Sequence, residues 1–259
     1  MTIDQIAVQL YTVREHCRTA TDFAATIRRL RAIGYRAAQV SAIGPIPEAE
    51  IVRILAGEGV VCCATHEPAD QLLGEPERAI ARLRALGCQL TAFPFPRGVD
   101  FSVPENITRL ARQLDASGAK FHAAGLTLGY HNHDLEFVRF GAGTALDHIF
   151  AETKPENLVA ELDTYWVQYG GADPVEWCRK LAGRLPFIHL KDYRMTPAQK
   201  PEFAEVGAGN LDFRRIIPAA ERSGCRWFIV EQDICPGDPF ESLKASYDYL
   251  AGLVKSGAV

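Results

Sequence analysis

No stretch of the 259-residue chain reaches 18 consecutive uncharged apolar residues, so no membrane-crossing helix is expected. The opening MTIDQIAVQLYTVREH has no basic leader and too short an apolar run for a signal peptide. There is no run of six basic residues and no basic helix face. With a formal charge of -4, nucleic acid and other polyanions are not expected partners. No strand pattern leads into GxGxxG and there is no Walker sequence; Gly207 and Gly209 stand in a loop. That excludes a dinucleotide fold and a nucleotide-hydrolysing machine. The seven cysteines, Cys17, Cys62, Cys63, Cys88, Cys178, Cys225 and Cys235, are odd in number and fit no zinc framework. They are expected as free thiols of a cytoplasmic protein.

Apolar strand-length runs, by contrast, recur at intervals of roughly 30 residues. They cover 6–10, 37–40, 60–65, 89–93, a run opening at Leu126, then 158–162, 187–190 and 227–230. Helical periodicity lies between them. Phe23, Ile27, Leu30 and Ile33 share a face before Gly34, and Asp173 with Pro174 is a helix start. Ser102 and Glu105 resemble a capping box for a helix that runs to about Ser117, with Gly118 behind it. A long polar loop spans 194–210. Eight strands joined by helices require parallel pairing, and in a chain of this size they fit one α/β domain over 1–259, a closed (β/α)8 barrel. An open doubly wound sheet is the competing arrangement.

In such barrels, chemistry sits where the strands end. The segment LTLGYHNHDLEF, 126–137, packs His131, Asn132, His133, Asp134 and Glu136 into six positions. So many polar groups do not fit a closed core. Asp163 ends the strand at 158, His189 lies in the strand at 187, and Glu231 ends the strand at 227. A lone acid after a strand is ordinarily a cap or an ion-pair partner, and a histidine inside FIHL is ordinarily a core residue. Four consecutive strands each offering one ligand, however, point to a metal site: Glu136, Asp163, His189 and Glu231. Two Glu, one Asp and one His suit one divalent ion, Mn²⁺ first, with Mg²⁺, Co²⁺ or Zn²⁺ as alternatives. A metal there polarises a carbonyl beside a hydroxyl, and Glu136 and Glu231 are candidates for proton transfer. His133 and Lys191 complete the catalytic candidates. His66, Trp166, Gln9, Arg14 and Phe95 are candidates for holding a sugar or polyol. His131 is placed behind His133, and Asp192 orients Lys191 or caps the loop.

The phrases VQLYTVRE, GYHNHDLEF, LDTYWVQYGGADP, FIHLKDY, EVGAGNLDF and IVEQD extend over nearly the whole chain. Together they resemble the sugar phosphate isomerase/epimerase superfamily of xylose-isomerase-like TIM barrels. The resemblance implies a metal-dependent isomerase or epimerase working through an enediolate. It makes Glu136, Asp163, His189 and Glu231 the ligands and the two glutamates the proton-transfer pair of ketose 3-epimerases. The interval before Asp163 is contracted and that before Glu231 expanded, and His133 competes with Glu136 for the first ligand position. Similar barrels include inosose dehydratases and lyases of 3-keto-glycosides, which makes metal-dependent β-elimination the alternative. An apurinic endonuclease is disfavoured by the charge and by the single clear histidine ligand. A non-catalytic binding barrel is disfavoured because all four candidates are present. No compact group of Arg and Lys marks a phosphate site. Assembly into a homo-oligomer stays open.

Overall fold

The computed structural model describes residues 1–259. Eight strands form a closed parallel barrel: β1 (Ile6–Gln9), β2 (Ala37–Val40), β3 (Val61–His66), β4 (Leu90–Phe93), β5 (Thr127–His131), β6 (Val159–Asp163), β7 (Phe187–Leu190) and β8 (Trp227–Val230). Each pairs with the next in sequence, and β8 closes on β1 through Ala7↔Ile229. Parallel neighbours need a crossover, and helices supply it. Most strand residues are buried on both faces, so segments such as FIHL and WFIV are nearly continuous apolar runs instead of alternating ones.

The caps are largely where local chemistry puts them. Thr19 accepts from Asp22 N ahead of helix Ala20–Ile33, and Asp173 accepts from Val175 N at 2.8 Å ahead of helix Pro174–Lys180. Two expectations fail. Ser102 bonds Asp100 instead of capping, and helix Pro104–Ala123 starts without a side-chain cap. The same helix passes straight through Gly118 because it packs there on backbone: a Cβ at 118 would sit 1.9 Å from the Asn157 carbonyl oxygen. The glycine serves close approach, not termination. The 194–210 loop also holds structure, since Asp192–Met195 pairs antiparallel with Pro201–Ala204.

Two apolar clusters divide the interior. The larger joins strands to helices. The smaller comprises Ala7, Ala37, Cys63, Ala64, Ala92, Phe187 and Ile229, and plugs the barrel lumen. Phe187 fills the space beside Gly129, where a Cβ would meet its ring at 2.7 Å. Side chains alternate along a strand, so residues two positions beyond this plug face the same lumen, one layer higher. They are Gln9, Gln39, His66, His131, His189 and Glu231. On β6, Glu161 and Asp163 occupy the same parity. The polar site therefore rests on an apolar floor.

Candidate metal centre and cleft

Asp163 and His189 are register partners on β6 and β7. His189 Nδ1 lies 2.9 Å from Glu231 Oε2 and 3.8 Å from Asp163 Oδ2. His131 Nε2 stands 3.9 Å from the same Asp163 oxygen. The four side chains each bring a ligand atom within 4.8 Å of the others, and all are buried. Asp163 is held by both ends of its own turn: Oδ1 accepts from Trp166 N at 3.0 Å, and its backbone N–H donates to Asn132 Oδ1 at 2.9 Å.

Glu136 does not join them. After His131 the chain turns into the short 3-10 segment Leu135–Phe137, which breaks the strand's alternation. Its carboxylate accepts from Tyr130 Oη at 2.7 Å and from His133 N at 2.8 Å. Burial raises its pKa to about 7. Glu136 was expected as the fourth donor; the side chain that faces the gap from β5 is His131.

Electrostatics set the state of each donor. Burial pushes His131 down to about 3, with His189 adding to the effect, so its ring is neutral. Burial also pushes Asp163 up, against Lys191 and His189, to about 6. For Glu231, burial is outweighed by Lys191 and His189, which hold it well below the usual carboxylate range. His189 is opposed by burial yet raised to about 10 by Glu161 and Glu231. Lys191 Nζ reaches Asp163 Oδ2 at 3.1 Å, Glu231 Oε2 at 2.9 Å and Asp233 Oδ1 at 2.8 Å.

The donors fit a divalent ion. Asp163 Oδ2 is buried and makes no hydrogen bond, although the Lys191 ammonium faces it at 3.1 Å. Two carboxylates and two imidazoles suit Mn²⁺, Co²⁺ or Zn²⁺ better than the harder Mg²⁺, and two negative charges match the ion's two positive ones.

Above the donors lies a cleft of ≈ 420 Å³ lined by His66, His131, His133, Lys191, Glu231 and Asp233, with Tyr11, Phe95 and Arg97 at its rim. The His133 ring packs 4.8 Å from Phe95 and 5.4 Å from Trp166. Phe203 of the hairpin stacks 4.3 Å from Tyr165. Gln9 lies deeper, donating to Gln39 Oε1 at 3.0 Å. Arg14 donates to the Tyr11 and Asp233 carbonyls and does not line the cleft. A larger cavity, ≈ 750 Å³, opens at the opposite end of the barrel. Arg226 is its single charged lining residue, so it assembles no comparable chemistry. Sequence reasoning did not place His131, Gln39 and Glu161 in the buried cluster. Parity with the lumen-facing residues was the signal that identifies all three.

The family model for xylose isomerase-like TIM barrels matches residues 27–252. An inosose dehydratase of Lacticaseibacillus casei is 29% identical over 159 residues, covering 55% of this chain and 53% of that protein. The chain thus spans about half the length of the first curated relatives it matches. Among solved structures, a sugar phosphate isomerase/epimerase from Parabacteroides distasonis superposes with a TM-score of 0.81 at 21% identity, over 97% of this chain and 94% of that one. A xylose isomerase-like TIM barrel protein from Mycobacterium smegmatis in complex with magnesium gives 0.77 at 15%, over 98% of each. No helix here is long and apolar enough to cross a membrane.

Proposed function

Since the chain belongs to the xylose isomerase-like TIM barrel family, we propose that it is a divalent-metal-dependent enzyme that removes a proton next to the carbonyl of an unphosphorylated keto-polyol and then expels a β-substituent. Asp163, His189, Glu231 and His131 would hold the ion. When bound, it would polarise the substrate carbonyl and offset the charge that develops on its oxygen.

Glu231 is ionised and borders the cleft, so it takes the proton from the carbon beside the carbonyl. Lys191, held charged by three carboxylates despite its burial, gives a proton to the departing oxygen as that carbon–oxygen bond breaks. Phe95 and His133 line the cleft and form the wall against which a sugar face stacks, with Trp166 packed on His133 but not lining the cleft. Arg97 is the one guanidinium lining the cleft, and Lys191 is already engaged, which favours a substrate without phosphate.

The observation that carries elimination over epimerisation is the position of Glu136. A two-carboxylate epimerase needs a second acid–base group across the substrate, and the Glu136 carboxylate is committed to Tyr130 and the His133 backbone. Its similarity to an inosose dehydratase supports the same reading. Isomerisation or epimerisation is the second reading, favoured by His133, which lines the cleft and offers a non-carboxylate base.

The test is solvent exchange followed by NMR, using Mn²⁺- or Mg²⁺-loaded protein in D₂O with ketoses, inososes and 3-keto-glucosides. An unsaturated product with loss of water or glycoside supports elimination. A deuterated epimer or isomer transfers the assignment to the second reading. Bound metal with no exchange on any of these substrates overturns both.

A further inference from the structure

Beneath the four donors lies a carboxylate that the proposed chemistry does not use. Glu161 sits inside β6, fully buried and one layer below Asp163. Its oxygens are surrounded by donors. Oε2 accepts from His66 Nε2 at 2.5 Å, and Oε1 accepts from Gln39 Nε2 at 2.6 Å. His131 Nδ1 stands 3.4 Å from Oε2, and His189 Nε2 stands 3.3 Å from Oε1.

We propose that Glu161 is a positioning residue for the metal centre, fixing through Gln39 and by direct contact which nitrogens of His131 and His189 face the ion. This rests on the reading that those histidines are ligands.

An ionised carboxylate only accepts, so the Gln39 amide must turn its NH₂ toward Glu161. Its carbonyl oxygen then faces the other way, where it accepts from His189 Nε2 at 2.7 Å and from Gln9 Nε2 at 3.0 Å. His189 Nε2 must therefore carry a proton. Its Nδ1 is left toward Asp163 and Glu231, where an ion would take its lone pair. His66 obeys the same logic: Nε2 carries the proton given to Glu161, and Nδ1 accepts from Gln9 Nε2 at 3.4 Å. Each group in Gln9, Gln39, His66, Glu161 and His189 then has one consistent direction, set by a single charge. His131 presents Nδ1 toward that charge and Nε2 toward the gap. A glutamine at 161 has the same shape but cannot accept at both ends, so it sets its amide against Gln39 or against His66.

The experiment compares wild type, Glu161→Gln, and the swap Gln39→Glu/Glu161→Gln, which keeps one carboxylate and one amide at the same two positions. Each is titrated calorimetrically with MnCl₂. Each is also loaded with Co²⁺ for its visible spectrum, which reports coordination. Thermal melting checks the fold. Glu161→Gln is expected to weaken Mn²⁺ binding by roughly 10–100-fold and to alter the Co²⁺ spectrum, and the swap is expected to recover both. A purely structural residue would lower the melting temperature and leave affinity and spectrum unchanged, which overturns the proposal. A folded swap that recovers neither also overturns it. The swap serves as the test where the single variant does not fold. A wild-type chain that binds no Mn²⁺ overturns the metal reading itself, a result separable from the others.

Discussion

Lys191 lies two residues beyond His189, just past the end of β7, and its ammonium is 3.1 Å from Asp163 Oδ2, an oxygen that also faces His189. A buried cation already stands against the carboxylates proposed to bind metal. Replacing it with methionine leaves Asp163, Glu231 and Asp233 without that counter-charge. Removing one partner of a buried ion network costs about 3–5 kcal/mol. Lys191→Met should therefore melt well below wild type in EDTA, and Mn²⁺ should raise its melting temperature more than it raises that of wild type. Equal melting in EDTA would show that the ammonium does not stabilise the centre.

Asp163→Asn keeps the shape and the cap to Trp166 but removes a charge from the donor set. It should lose Mn²⁺ affinity by more than about 100-fold, beyond the effect of losing an outer partner. The metal-free fold should lose stability as well, because the charge removed faces the buried Lys191 ammonium at 3.1 Å. Calorimetric titration and melting read the two effects separately. Undiminished affinity removes Asp163 from the proposed centre.

Glu136 and His131 separate cleanly. Glu136→Gln should leave Mn²⁺ affinity near wild type, whereas His131→Gln should weaken it. The glutamate also gives a pH signature. Its folded pKa, raised by burial to about 7, exceeds the ordinary 4.5. The protonated form is thus the one the fold prefers. Stability from this group is fully present below 4.5 and is lost as pH rises to about 7, by about 3 kcal/mol. Urea melts across that window should fall less steeply for Glu136→Gln than for wild type. Parallel slopes would mean that the carboxylate is not desolvated.

Asp192 anchors the hairpin loop. Oδ1 accepts from Tyr193 N and Leu211 N, and Oδ2 accepts from Gly207 N and Gly209 N. An asparagine there has one oxygen for four donors. Asp192→Asn should cost about 1–3 kcal/mol. It should also release Phe203 from Tyr165, raising KM more than it lowers kcat. Limited proteolysis between 196 and 200 should quicken, and unchanged cleavage would count against the anchoring role.

Periodicity and caps made the barrel readable, because strands buried on both faces are apolar runs and their spacing is regular. The shared placement of Asp163, His189 and Glu231 was readable for the same reason: each lies at or near a strand end in phase with the lumen. Glu136 lies apart from these three because closeness to a strand end says nothing of direction once the chain has turned. Counting in twos from Gly129 reaches His131 and His133 and never 136. Glu161 hid inside a strand that looked like core. Gly118 read as a stop because its other use, letting a helix lie against backbone, depends on a partner 39 residues away in sequence. The hairpin within 192–204 escaped because its two short strands carry no buried alternation.

The apolar floor made by Phe187, Ile229 and their neighbours closes the barrel below Glu161. The cleft is thus a vessel with one mouth. Whatever enters past Tyr11 and Phe95 must leave the same way, and a departing molecule blocks the next arrival. Product inhibition should accordingly be competitive with substrate, and widening the rim should hasten turnover where release is the slow step.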